Sequence, residues 1–259
     1  MQLELREYDV KDVCSDEERH SGSNDKEIAE EKKEPPSSKQ SSSSSLKKGH
    51  SRTDDDEDCE MRGVHAKVDI PPNQICVSIP RKCLITVEMG QATEIGQAIL
   101  NSDLELDAPK HVFLMIFLLW DRKGNGKNSF FKPYYDILPK TLSNMPIFWS
   151  EEELAYLEGS YLLAQIDDRN EAIEDDYHTI CNVAPQLADI ATLDEFKWAR
   201  MCVCSRNFGL QIDGNRTSAL VPHADMLNHY RPRETKWTFD DYRQAFTITR
   251  LVIGRQDEY

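Results

Sequence analysis

Ala219-Leu-Val-Pro-His-Ala-Asp-Met-Leu-Asn-His229 decides how this chain is read. An apolar strand enters the run, and Pro222 ends it, since a proline has no N–H to give to a ladder. Asp225, Asn228 and His229 follow within a short turn. The residues alone leave two readings open. In one, the run is a capped turn between strands. In the other, His223, Asp225 and His229 are nitrogen and oxygen ligands of a metal, and the chain is a metal-dependent hydrolase. No glutamate base or further ligand stands at a recognisable spacing from these three.

Strand text surrounds the run. Phe208 to Ile212, Ser218 to Pro222 and Gln244 to Val252 carry it, the last through the alternation Ala-Phe-Thr-Ile-Thr. Earlier in the chain, Val64 to Ile70 and Ile75 to Ile79 read as two strands joined by a turn at Pro71-Pro-Asn-Gln74, and Pro80 to Val87 adds a short extended piece. Between Glu88 and Cys204 the apolar spacing becomes helical. It predicts helices over Glu94 to Leu100, Pro109 to Arg122, Glu151 to Leu163, Asp168 to Cys181 and Leu193 to Cys204, with Ser150 and Thr192 as starts. The apolar run His111 to Trp120 falls short of the roughly 20 residues that span a bilayer, so it reads as a buried helix, with no membrane partner. The layout predicts an α+β fold in which small curved sheets from both ends of the sequence meet in one core. A helical insert, 88–204, lies between them.

Composition sets the boundaries. Of 259 residues, 39% are hydrophobic, enough for one domain over 61–259 if they are concentrated there. Residues 1–60 carry 10 Lys+Arg against 18 Asp+Glu and so supply about half of the formal −15. From Gly22 to Glu60, through Ser41 to Ser45 and Asp54-Asp-Asp-Glu-Asp58, large apolar residues are almost missing, which predicts an unstructured acidic, serine-rich tail over 1–60. The acidic balance argues against nucleic acid as a partner, because phosphate contacts need a basic surface. MQLELREYDV shows no basic region followed by an apolar run, so no signal peptide is expected. Seven cysteines at irregular spacings fit a reducing compartment, the cytoplasm or nucleus, and a monomer is expected.

Two other runs carry less. Gly124-Asn-Gly-Lys-Asn-Ser129 evokes a phosphate loop, but the glycine required five residues before Gly126 is Asp121. Cys202-x-Cys204 lies on a predicted helix without a second pair at zinc spacing and reads as buried thiols.

Four motifs together resemble a known family. Leu220 to His229 resembles the Asn-His motif of SET methyltransferases, and Arg62-Gly-Val-His-Ala66 with Asp69-Ile70 and Pro-Arg-Lys82 resembles that domain's opening strands. Asn128-Ser-Phe-Phe-Lys-Pro-Tyr134 with Leu138-Pro139, and Ser205-Arg206, are similar to the Rubisco methyltransferase and actin-histidine methyltransferase branch, whose SET core is split by a helical insert. The resemblance implies S-adenosyl-L-methionine as cofactor. Its binding residues would be Glu60, Met61 and Arg62, the arginine Arg206, and the run Asp225, Met226, Leu227, Asn228 and His229. It makes Phe130, Phe131 and Tyr134 part of the substrate cleft.

The activity so implied is methyl transfer to a side-chain nitrogen of a protein substrate, lysine ahead of histidine. The family's catalytic tyrosine is expected beyond Tyr259, so the chain reads as C-terminally truncated and inactive, or nearly so, as it stands. A non-catalytic cofactor- or peptide-binding remnant is the alternative.

Overall fold

A computed structural model describes residues 3–8, 61–229 and 232–252, with 3–8 and 61–62 described as backbone. The expected unstructured tail lies outside the described residues over 9–60, as do residues 253–259, with Tyr259. The chain divides into two compact units, Gln2–Lys67 and Val68–Tyr259.

In the smaller unit, β1 (Leu3–Tyr8) runs antiparallel to β2 (Met61–Ala66), with Leu3 opposite Ala66 and Tyr8 opposite Met61. The expectation of an unstructured segment from residue 1 is therefore corrected at Leu3–Tyr8. The period-2 alternation of Leu3-Glu4-Leu5-Arg6 was legible, but the charged text that follows it outweighed four residues of pattern.

The larger unit holds two three-stranded antiparallel sheets. In one the order is β3 (Ile75–Pro80), β8 (Ala245–Arg250), β7 (Thr235–Asp240); in the other it is β4 (Ile85–Thr86), β6 (Asn215–Leu220), β5 (Asn207–Ile212). Of the two strands expected on either side of Pro71 to Gln74, the first ends at Ala66 rather than Ile70, and β3 takes β8 as its partner, with Ile79 opposite Phe246. Sequence-distant ends thus close one sheet. Strand β7 was not expected: Phe239 is its one buried residue, which leaves little hydrophobic text to read. The β5–β6 hairpin has a two-residue loop in which Asp213 (φ 49°) and Gly214 (φ 79°) both take the left-handed conformation that matches the strands' twist.

Between the sheets in sequence come eight helices. They are α1 (Val87–Gln91), α2 (Glu94–Leu100), α3 (Pro109–Gly124), α4 (Lys132–Tyr135), α5 (Glu151–Leu154), α6 (Leu162–Val183), α7 (Gln186–Ile190) and α8 (Leu193–Arg206). Helix α3 is the core: every residue from Val112 to Leu119 is buried, which is why its text is apolar all round rather than on one stripe. Helix α1 packs backbone to backbone on it, since a Cβ at Gly90 would stand 1.8 Å from the Phe113 carbonyl oxygen. Ser150 and Thr192 form reciprocal capping boxes with Glu153 and Glu195. The helix expected to continue to Leu163 instead stops at Leu154, passes through a 3-10 turn at Ala155–Leu157 and breaks at Gly159 (φ 81°). Helix α6 then begins at Leu162 and absorbs the helix expected from Asp168.

Arg200 of α8 is fully buried and ties the insert together. Its Nη2 donates to the Asp107 carbonyl at 2.8 Å and to the Asp107 carboxylate, and its Nη1 lies 3.8 Å from Asp176 of α6. A buried arginine is tolerable only with such partners.

Candidate functional site

After Leu220 ends β6, Val221 is buried and the chain makes a sharp turn. His223 takes φ 74° and ψ −41°, a sparsely populated conformation for a residue with a Cβ, and Ala224–Met226 forms one 3-10 turn. Buried Ala224 and Met226 fix that turn from below, and the Ala224 N–H donates to the Val221 carbonyl at 3.1 Å. The Asp225 side chain is left 2% exposed.

Two elements meet it. Tyr134, from α4, donates its hydroxyl to Asp225 Oδ2 at 2.8 Å, and Arg206, the last residue of α8, donates Nη1 to the same oxygen at 3.3 Å. Asp225 Oδ1 and Arg206 Nε are buried and carry no hydrogen bond. Burial pushes the Asp225 carboxyl above its ordinary range against the opposing effects of Tyr134 and Arg206. Burial first, and then the neighbouring Asp225 charge, push the Tyr134 phenol up, so it serves as a donor at every ordinary pH. On the preceding turn of α8, burial pushes the Cys202 thiol up to about 12. Cys204, expected to be buried as well, is exposed, with Sγ 3.7 Å from His111 Nδ1.

A second network sets the position of Tyr134. Buried Asp121, at the end of α3, accepts from Asn125 Nδ2 at 2.6 Å, from the Tyr135 hydroxyl at 2.7 Å and from the Ser129 hydroxyl. These bonds tie the loop 125–131 to α3 and so fix the approach to α4. The sequence reading missed Asp121; an acid closing an apolar helix ahead of a serine and a tyrosine was the available signal.

Tyr134 also faces a cavity of about 300 Å³, lined with it by Ile79, Cys83, Phe130, Phe131 and His223. Phe131 is buried and Phe130 is 65% exposed, the two rings packed edge to face at 5.1 Å. The three residues expected in a substrate cleft therefore line one cavity, joined by β3 and the His223 turn, which the sequence reading had not placed there.

Of the residues expected to hold a cofactor, Arg206 and Asp225 are in direct contact, Met226 is buried beneath, Leu227 is half-buried, and Asn228 and His229 are exposed at the end of the turn. Met61 and Arg62 open β2 of the smaller unit, and Glu60 lies outside the described residues. The metal reading is not supported: among the described residues, no three His, Cys, Asp or Glu side chains gather as a metal site, so His223, Asp225 and His229 are not a ligand set.

No family model matches the chain. It is 31% identical over 175 residues to the Pisum sativum ribulose-1,5-bisphosphate carboxylase/oxygenase large subunit N-methyltransferase, covering 66% of this chain and 34% of that protein. It is also 31% identical over 178 residues to the Homo sapiens actin-histidine N-methyltransferase, covering 64% and 29%. Among solved structures, the SET domain of LSMT bound to lysine and AdoHcy superposes with a TM-score of 0.60 at 26% identity, over 73% of this chain and 43% of that one. The chain spans about a third of the length of the curated relatives it matches. It is homologous to the Rubisco large-subunit and actin-histidine N-methyltransferases and carries the SET-type α+β fold of that branch.

Proposed function

We propose that this chain binds S-adenosyl-L-methionine and belongs to a protein that transfers its methyl group to a side-chain nitrogen of a protein substrate, lysine ahead of histidine. The observation that carries the reading is the Tyr134–Asp225–Arg206 junction, in which one carboxylate oxygen is held twice and two buried polar atoms, Asp225 Oδ1 and Arg206 Nε, remain without partners. The cofactor's amino-acid end is a zwitterion. An unpaired carboxylate oxygen suits its ammonium, and an unpaired guanidinium N–H suits its carboxylate. The residues present therefore fit the group.

When bound, the cofactor supplies an electrophilic methyl on a sulfonium. Arg206 and Asp225 hold its polar end, and Tyr134 keeps the Asp225 carboxylate from rotating. Phe130, Phe131 and Ile79 line the adjoining cavity with apolar surface that keeps water away from an incoming amine. A lysine has an ordinary pKa near 10.4 and must lose a proton before it attacks; a water-poor channel favours its neutral form. Alignment of nitrogen, methyl carbon and sulfur supplies most of the remaining acceleration.

Lysine is supported by the solved SET-domain neighbour, which is bound to lysine, while the human relative is named for histidine. Transfer is tested by fusing the C-terminal segment of the Pisum sativum relative to this chain, incubating the fusion with tritiated S-adenosylmethionine and a cell extract, then hydrolysing the protein in acid. Labelled methyllysine is expected, and labelled methylhistidine would move the substrate to histidine. Cofactor binding without protein label would reduce the chain to a binding module. The cysteine content supports a reducing compartment, so cytosolic and nuclear extracts are the ones to try.

A further inference from the structure

A second cavity, of about 360 Å³, lies against Lys132 and Tyr135 of α4, where the substrate cleft has Tyr134. Its wall carries Arg122 from the end of α3, Lys127 from the following turn, Lys132, Asp136, Lys140 and Trp198 of α8. This is an electrostatic anomaly. The chain has a formal charge of −15, yet positions 121–140 hold five Lys or Arg against two Asp. Neither acid is available to neutralise the cavity. Asp121 is buried and taken by three neutral donors, and Asp136 is paired with Lys132 at 2.5 Å.

Two cations are then left over. Among the described residues, neither Arg122 nor Lys127 forms an ion pair with a carboxylate. The Arg122 guanidinium lies over the Trp198 ring, 4.7 Å from its centroid, and the indole N–H donates to the Pro139 carbonyl at 2.9 Å, which fixes the ring plane. A stacked guanidinium keeps its N–H edge free for an acceptor and suits the bidentate grip of a phosphate or carboxylate. Lys127 adds a point charge after Gly126, whose φ of 47° turns the chain at the cavity's rim.

We propose that this cavity binds the phosphate group of a small phosphorylated ligand. Two unneutralised cations match a phosphate monoester, which carries about −1.5 to −2 at neutral pH, better than a single carboxylate. The volume lies within the range of small-molecule sites, roughly 300 to 1,000 Å³. Leu138 and the Trp198 edge give the rest of the ligand an apolar wall. The glycines of 124–129 serve here as a turn that carries Lys127, not as a nucleotide cradle. The site is separate from the Asp225 junction and does not depend on the methyl-transfer reading.

The probe is inorganic pyrophosphate, titrated into the full chain by calorimetry at low and at physiological salt. Saturable binding with one site per chain is expected, weaker at the higher salt. Lys127→Gln, a change at an exposed side chain, and Arg122→Gln should each weaken it by about tenfold, the loss of one charge-assisted contact. Asp136→Asn should strengthen it, because it releases Lys132 to the cavity. All three variants should keep the wild-type thermal unfolding midpoint to within a few degrees, which separates a lost site from a lost fold. The proposal is overturned by the absence of saturable binding, by unchanged affinity in Lys127→Gln and Arg122→Gln, or by weaker binding in Asp136→Asn.

Discussion

The hydroxyl of Tyr134 and the carboxylate of Asp225 lie 2.8 Å apart across 91 positions of sequence, and through this bond α4, on the wall of the cavity beside Phe130 and Phe131, holds the turn that carries Asp225. Tyr134→Phe keeps the ring in the cavity and deletes only the donor. It should cost about 2 kcal/mol of stability, the usual size for a hydrogen bond to a charged group, and weaken S-adenosylmethionine binding by about tenfold. Urea unfolding and calorimetry read the two effects. Wild-type affinity in the variant would mean that Arg206 alone orients Asp225.

Asp225 should set a pH dependence of stability. Burial raises its folded-state pKa above the ordinary 3.8. A carboxyl raised in this way contributes stability that is fully present below 3.8 and is lost as pH climbs through the folded value. Asn at this position cannot ionise and escapes that loss. The stability of Asp225→Asn relative to wild type should therefore rise between about pH 4 and about pH 7, and Asp176, raised in both proteins, cancels from the comparison. Urea titrations at the two pH values measure it; a relative stability that is flat or falls would show that Arg206 and Tyr134 outweigh burial.

Gly90→Ala should destabilise the fold by about 3 kcal/mol, at the upper end of ordinary overpacking. The new Cβ meets the Phe113 backbone oxygen of the core helix rather than a movable side chain, so relief requires α1 to shift away from α3. Thermal unfolding checks this, and an unchanged midpoint would show that the two helices have room to part.

Asp121→Asn should act on the site from a distance. The amide still accepts, but its NH2 group faces a donor where an oxygen now takes bonds from Ser129, Tyr135 or Asn125. A loss of about 2 kcal/mol is expected, together with weaker cofactor binding, because α4 carries Tyr134. Lower stability with wild-type cofactor affinity would separate this network from the site.

Much of the fold was legible because its signals are local. The all-round apolar text of His111 to Trp120 marked the core helix, Ser150 and Thr192 marked helix starts, and Asp213-Gly214 lies in the hairpin between two expected strands. Pairing was not legible. Ile79 opposite Phe246 and Tyr134 on Asp225 join segments far apart in sequence, and neither residue's neighbours encode the partner. Within Ala219 to His229, Pro222 and Asp225 were read correctly as a strand end and a polar turn. The burial of Asp225 against Tyr134 and Arg206 could not be seen from the run itself. The break at Gly159 was missed because the apolar spacing continues across it.

The central claim is that the Asp225 junction holds the amino-acid end of S-adenosylmethionine, and calorimetry with S-adenosylhomocysteine on the wild-type chain and on Asp225→Asn tests it most directly. The account predicts saturable binding to the wild type and a loss of at least about tenfold in a folded Asp225→Asn, because the oxygen left unpaired for the ligand's ammonium then carries no charge. No binding to the wild type, or equal affinity in both proteins, would contradict it.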